Sequence, residues 1–265
     1  MGTKKAPKKI KCAHDGVSEY TVITPNQHLK PIGGKIYWHI DESSLTDDMD
    51  KYQVIYAFEQ AFKKWQPLFD PIVIEATGNI SQSQITIKFK NNGDVDLPIP
   101  FNSGVLAYAF APSGESKGLH ADMFFNDAYA WSDMHKAGHI NLFKVAVHEI
   151  GHTFNSGHST NIKDIMYPQY QPNDEVNITL DTQNFVYDTY KPYGVAKPNS
   201  TSAPKPVSSD IKAVIKSIFR SKGEVARLHI GQLNSFGTTL GLIFKITDKP
   251  QNKIDKIWAI INAMV

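Results

Sequence analysis

The stretch His148-Glu149-Ile150-Gly151-His152-Thr153-Phe154-Asn155-Ser156-Gly157-His158 concentrates the chemistry of this 265-residue chain. On a helix, His148 and His152 share one face. Four residues apart, both imidazoles can reach a single zinc ion at about 2.0–2.1 Å, while Glu149 projects beside them toward a bound water. A third ligand has to come from chain that leaves the helix and turns sharply. His158 stands six residues after His152, with Asn155 and Gly157 between them, and Asn and Gly accept positive φ most readily. Three neutral imidazoles leave the fourth zinc position to water, whose pKa falls toward ~7, so hydroxide becomes available near neutral pH. That is a catalytic arrangement rather than a structural one. Chance competes poorly, since three His and one Glu at these offsets should arise about once in a few thousand sequences of this composition. The other histidines, His14, His28, His39, His120, His135, His139 and His229, lack a partner at ligand spacing on a shared helix face. They read as surface or packing residues.

These side chains need a helix to present them and a body to hold that helix. Asn141 is a good cap for a helix running through Leu142, Val145, Ala146 and Ile150 to about Phe154. Upstream, Ile36, Trp38 and Ile40 alternate along a strand from Lys35 to Ile40. Ile55, Phe58, Phe62 and Trp65 then recur at helical spacing from about Met49 to Gln66, with Pro67 as the stop. Further strands are expected at Ile72–Thr77, Gln84–Lys90, Gly104–Phe110 and Met123–Asn126, and a third, short helix at about Thr182–Tyr190. Strand, helix and then several strands point to an α+β domain built on a mixed sheet. It is expected to span residues 31–194, after a basic and polar extension at 1–30. Residues 195–208 hold Pro198, Pro204 and Pro206 among Ser, Thr, Asn and Lys, a linker composition. Beyond it, Ile211, Val214, Ile215 and Ile218, and later Ile254, Ile257, Trp258 and Ile261, mark two amphipathic helices. Residues 209–265 are therefore read as a small, mainly helical domain near the lower size limit for independent folding, which an unnamed partner would help to stabilise.

At 41% hydrophobic and 20% charged the chain is globular. No apolar run approaches the roughly 18 residues of a membrane span, and no signal peptide is visible. Residues 1–11 carry +5 and residues 209–265 another +5, so against a total of +2 the body between them carries −8. An acidic body argues against a nucleic-acid groove, and no nucleic-acid partner is expected. Cys12 is the single cysteine, so a metal has to be held by His and carboxylate.

The eleven residues resemble the zinc signature of the metzincin metalloproteases, H-E-x-x-H-x-x-G-x-x-H followed by a Met-turn, and Asp164-Ile165-Met166-Tyr167-Pro168 looks like that turn. Ser159 after the third His, together with Met-Tyr-Pro, makes the matrixin (matrix-metalloprotease-like) branch the best match, over roughly residues 31–194. The resemblance implies a twisted, mostly parallel mixed sheet with three helices. It implies zinc on His148, His152 and His158, Glu149 as general base and acid, and Met166 as the apolar floor beneath the metal. Gly104–Pro112 reads like the edge strand that lies along an extended substrate, which makes Leu106 and Ala107 substrate-binding candidates. Pro168 and Tyr170 would line the specificity pocket. Lys144 falls at the bottom of the pocket that receives the residue after the cleaved bond, a position where some members carry a long basic side chain. The alternative for Lys144 is a surface course with its ammonium in water.

The departures from the family are equally specific. Asn155 replaces the family's turn glycine and is the non-Gly residue that takes left-handed backbone at least cost. The His ligands of a second, structural zinc would fall at Tyr108 and near Phe124, which cannot serve. The calcium loop looks shortened, leaving Asp94, Asp96, Asn126 and Asp127 as weak calcium candidates that a structural role fits better. Cys12 lacks the Arg and Gly neighbours of an inhibitory propeptide cysteine and reads as an incidental thiol. The expected function is a zinc endopeptidase that acts on protein or peptide substrates with an apolar residue after the scissile bond. Extracellular action or virion association is its expected setting. The rivals are an inactive protease-like binding or assembly protein, against which the intact Glu149 argues, and a zinc amidase acting on cell-wall peptides.

Overall fold

The computed structural model describes residues 28–112, 121–133, 136–171, 175–198 and 249–263. The chain falls into two units divided between Ser202 and Ala203. In the first, strand β1 (Lys35–Ile40) buries Ile36, Trp38 and Ile40 in the expected alternation. Helix α1 (Lys51–Trp65) starts at a capping box in which Asp50 and Gln53 satisfy each other's backbone amides, and Pro67 lies in the 3₁₀ turn that ends it. Strands β2 (Val73–Ala76), β3 (Ile85–Lys90), β4 (Ala107–Ala109) and β5 (Ala121–Asn126) complete a five-stranded sheet of order β2-β1-β3-β5-β4. Every pairing in it is parallel except β4 against β5. The sheet is thus mixed and mostly parallel, and β4 is its edge.

A short parallel pair, β6 (Trp131–Ser132) and β7 (Ile140–Asn141), leads directly into helix α2 (Leu142–Thr153). Helix α3 (Leu180–Tyr190) starts two residues earlier than its apolar pattern suggests. The core lies where α1 and α2 pack on each other and on the sheet. Trp38 stacks on Phe62 with centroids 4.6 Å apart, and Phe58 meets Phe125 edge-on at 5.1 Å. Each such aromatic pair contributes about 0.5–1.5 kcal/mol beyond the area it buries.

The expected boundaries at 31 and 194 cut into this core. Leu29 and Val195 are buried in it, and Gln84 Nε2 donates to the Lys30 carbonyl at 2.9 Å. The strand expected at 104–110 covers only Ala107–Ala109; just before it, Asn126 donates from Nδ2 to the Val105 carbonyl at 3.0 Å and from its backbone N–H to the Leu106 carbonyl at 2.8 Å. In the second unit, helix α4 (Pro250–Ala263) buries Ile254 and Ile257. The rest of the expected small domain, most of the extension and linker, and Cys12 lie outside the described residues. No described helix is long and apolar enough to cross a membrane.

Candidate active site

Asn141 begins α2 by accepting the Lys144 N–H on its side-chain oxygen at 3.0 Å. One turn further, His148, Glu149 and His152 are all buried. The Nε2 atoms of His148 and His152 stand 3.1 Å apart, close to the ~3.3 Å that two ligands of a tetrahedral zinc would have. His158 brings its ligand atom within 4.8 Å of both. The other ring nitrogens of the two helical histidines are tied off. His148 Nδ1 lies 2.6 Å from the Ile165 carbonyl and His152 Nδ1 lies 2.7 Å from the Ser156 carbonyl. A carbonyl only accepts, so each Nδ1 carries the proton and each Nε2 keeps its lone pair for a metal. Three neutral imidazoles converging in this way fit zinc in their chemistry as well as their spacing.

The turn that returns His158 to the helix is a Schellman cap. Asn155 N–H donates to the His152 carbonyl at 2.8 Å and Ser156 N–H to the Gly151 carbonyl at 2.9 Å. Asn155 sits at φ 67°, in the left-handed region expected of it. Met166, the residue expected under the metal, is fully buried against the helix that carries His148 and His152. Gly151 makes room for it, because a methyl there would collide with Met166 Sδ and sit 2.9 Å from both Met166 Cε and Trp65 Cζ2. Trp65 Nε1–H in turn donates to the Val147 carbonyl at 2.9 Å, anchoring α1 to α2 beside the ligands. Gly151 escaped the sequence reading, although a glycine inside a helix costs about 1 kcal/mol against Ala and so signals a close approach.

Next to His148 opens a cavity of about 250 Å³, whose lining includes Leu106, Lys144 and Tyr170. Ala107 and Pro168 are not among the lining residues. Val145, Ile165, Tyr167, Gln169 and Gln171, none of them a substrate-binding candidate from the sequence, are. Lys144 does not run into water. It is 7% exposed, donates from Nζ to the Gln171 carbonyl at 2.6 Å and lies 5.7 Å from the Tyr170 ring centroid.

The calcium candidates are not brought together. Asp96 pairs with Lys90 at 2.8 Å, Asp94 accepts the Asn91 N–H at 3.0 Å, and Asn126 is engaged with Val105 and Ala128. Asp127 instead lies near Asp47 and Asp48, in a cluster with ligand atoms within 4.8 Å of one another. Tyr108 and Phe124, at the positions of the second zinc, face each other across β4 and β5 with centroids 5.3 Å apart. The Tyr108 hydroxyl donates to the Ile99 carbonyl at 2.8 Å. Burial pushes this phenol up to about 12, against the Ile99 N–H, which favours the phenolate, so it stays a neutral donor. A benzene ring and a hydrogen-bonded phenol do not fit a zinc site.

Comparison with known proteins leads to the same family as the motif. The chain is 28% identical to interstitial collagenase of Oryctolagus cuniculus over 227 residues, which are 84% of this chain and 45% of that protein. It is 33% identical to macrophage metalloelastase of Rattus norvegicus over 153 residues, 55% of this chain and 31% of the relative. Against metalloendoproteinase 1 of Glycine max it is 37% identical over 133 residues, 47% of this chain and 41% of the relative. It thus spans less than half the length of each. The family model described as matrixin matches residues 30–191, a segment that includes the three histidines, Glu149 and Met166. With that match over more than half of its length, the chain belongs to the matrixins, a family of zinc-dependent endopeptidases.

Proposed function

We propose that this chain is itself an active endopeptidase of extended polypeptides, in which His148, His152 and His158 hold one zinc and Glu149 moves the proton. The observation that carries the reading is the convergence of three histidine ligand atoms, two of them Nε2 atoms on rings whose Nδ1 protons are spent on backbone carbonyls, beside a fully buried Glu149. Bound zinc would supply a Lewis acid that polarises the scissile carbonyl and acidifies water. Glu149 accepts a proton from the attacking water and returns it to the leaving amine. Edge strand β4 offers its outer backbone to an extended peptide by strand addition, so affinity comes from backbone hydrogen bonds and selection from side-chain pockets. The cavity beside His148 receives the residue after the scissile bond, and its bounded, mainly apolar wall selects a medium apolar side chain. Extracellular action goes with this reading, since one similar protein is named interstitial.

The test is digestion of casein and of cell-wall peptides by the full chain and by Glu149→Ala, with metal analysis of both. The expected result is zinc in both proteins, casein cleavage by the parent chain, and a loss of about 10²–10⁴-fold or more in the variant. Zinc with cleavage of cell-wall peptides alone would make the chain an amidase. Zinc with neither cleavage would make it a binding protein.

A further inference from the structure

The Ile165 carbonyl that holds the His148 ring lies between two residues gripped by a side chain that the chemistry above does not use. Asp164 is 4% exposed, and its carboxylate takes up four donors. Oδ1 accepts the Met166 N–H at 2.8 Å. Oδ2 accepts the Thr179 N–H at 3.1 Å, the Thr182 hydroxyl at 2.9 Å and the Thr179 hydroxyl. Thr179 is the N-cap residue of α3, yet its side chain makes no capping bond to its own helix, because that hydroxyl is turned onto Asp164. The same segment is held from its other sides. Ile165 N–H donates to the Asn177 carbonyl at 2.6 Å, and the Met166 carbonyl accepts the Ser159 N–H, next to His158, at 2.9 Å. An apolar residue would fill this space without needing any donor. A buried carboxylate saturated by four of them defines direction, which packing alone does not.

We propose that Asp164 is a positioning residue of the metal centre. By clamping the Met-turn to the start of α3 it fixes the Ile165 carbonyl, and that carbonyl sets the tautomer and tilt of His148. The inference rests on the reading that the three histidines bind zinc. The groups that orient metal-bound histidines typically alter affinity 10–100-fold when removed, and Asp164 acts one residue further out.

The experiment uses the full chain, with zinc affinity measured by competition against a chromogenic chelator and the visible absorption bands of the cobalt-substituted protein as a readout of ligand geometry. Asp164→Ala is expected to weaken zinc binding about tenfold and to shift the cobalt bands. Asp164→Asn, which keeps an acceptor for Met166 N–H, should recover part of both. Thr182→Val, which keeps the side-chain shape and removes one donor, should weaken zinc about threefold. If Asp164→Ala does not fold, the Asn and Val variants decide by the same two measurements. Folded variants with parental zinc affinity and parental cobalt bands overturn the role of Asp164 and leave the endopeptidase reading standing. A parent chain that takes up no zinc overturns both.

Discussion

Two corners of the matrixin unit hold chain segments together by opposite means. At one, three histidines, Glu149 and Asp164 are buried or nearly so, and each imidazole is aimed by a backbone carbonyl or turn. At the other, Phe101, Val105, Tyr108 and Phe124 form a separate apolar cluster against which Leu97, Ile99 and Phe110 pack. Tyr108 has Phe101 at 5.2 Å and Phe110 at 5.6 Å, and Asn92 fixes the loop by exchanging two hydrogen bonds with the Phe101 backbone at 2.7 and 2.9 Å. The first corner keeps polar groups in low dielectric, which is favourable only where each is hydrogen-bonded or paired. The second satisfies itself with dispersion, ring geometry and hydrogen bonds from one phenol and one amide to the backbone. A protein that needs chemistry at one place and only cohesion at another puts its costly buried polar groups at the first.

The largest effect that could break this contrast is loss of the third ligand. His158→Ala leaves two helical imidazoles, which hold zinc weakly, so zinc content and hydrolysis should both be lost, hydrolysis by about 10³-fold or more. The near-ultraviolet circular dichroism of the aromatic corner should remain, because His158 is neither in that cluster nor among the residues packed against it. Metal analysis and an activity assay on the same preparation check this. Zinc retained at one per chain would remove His158 from the ligand set.

The reciprocal change is made at Tyr108. Truncation to Ala empties the centre of the apolar cluster and should destabilise the unit by about 3–5 kcal/mol. Tyr108→Phe loses only the hydroxyl's two bonds to the Ile99 backbone, about 0.5–1.5 kcal/mol for the shorter and less for the longer. Denaturant unfolding measures both, and zinc affinity in the folded protein should stay within a factor of about two for the Phe variant. If excess zinc restabilises Tyr108→Ala, the corner is metal-supported after all and the contrast fails.

The two corners also differed in how far the sequence disclosed them. The metal corner was legible because coordination imposes fixed offsets, and Asn155 announced its left-handed turn by its type. The helix period of α1 and the strand period of β1 are equally plain, since burial repeats along them. What stayed hidden depends on contacts between segments far apart in the chain. Asp164 meets Thr182 across 18 residues of sequence, and Gly151 matters because Met166 and Trp65 arrive from other elements. The acidic residues at 94–96, weak calcium candidates by type alone, are engaged by Lys90 and a backbone amide that the sequence pattern does not single out. The position of Lys144 was open for the same reason. Its direction is set by the carbonyl of Gln171, on a loop with no periodic pattern of its own.

That direction gives the smallest and most specific prediction. Lys144 Nζ, bonded to Gln171 and set against the Tyr170 ring, forms part of the wall of the cavity beside His148. If this cavity receives the side chain after the scissile bond, the length of the lysine limits how long that side chain can be. Lys144→Ala should lengthen the pocket and raise kcat/KM for Phe relative to Leu at that position by about tenfold, within the 10–200-fold range that pocket volume commands in an apolar site. Lys144→Met separates length from charge, since it keeps most of the stem but removes the donor to Gln171. A preference that stays with Leu in the Met variant and moves to Phe in the Ala variant assigns selection to volume. Movement in both assigns it to the Gln171 bond, which would then hold the 167–171 loop against the pocket. Profiling a peptide library with the three proteins makes the measurement. Identical preferences in all three would show that the cavity next to the metal corner is not where the substrate side chain goes.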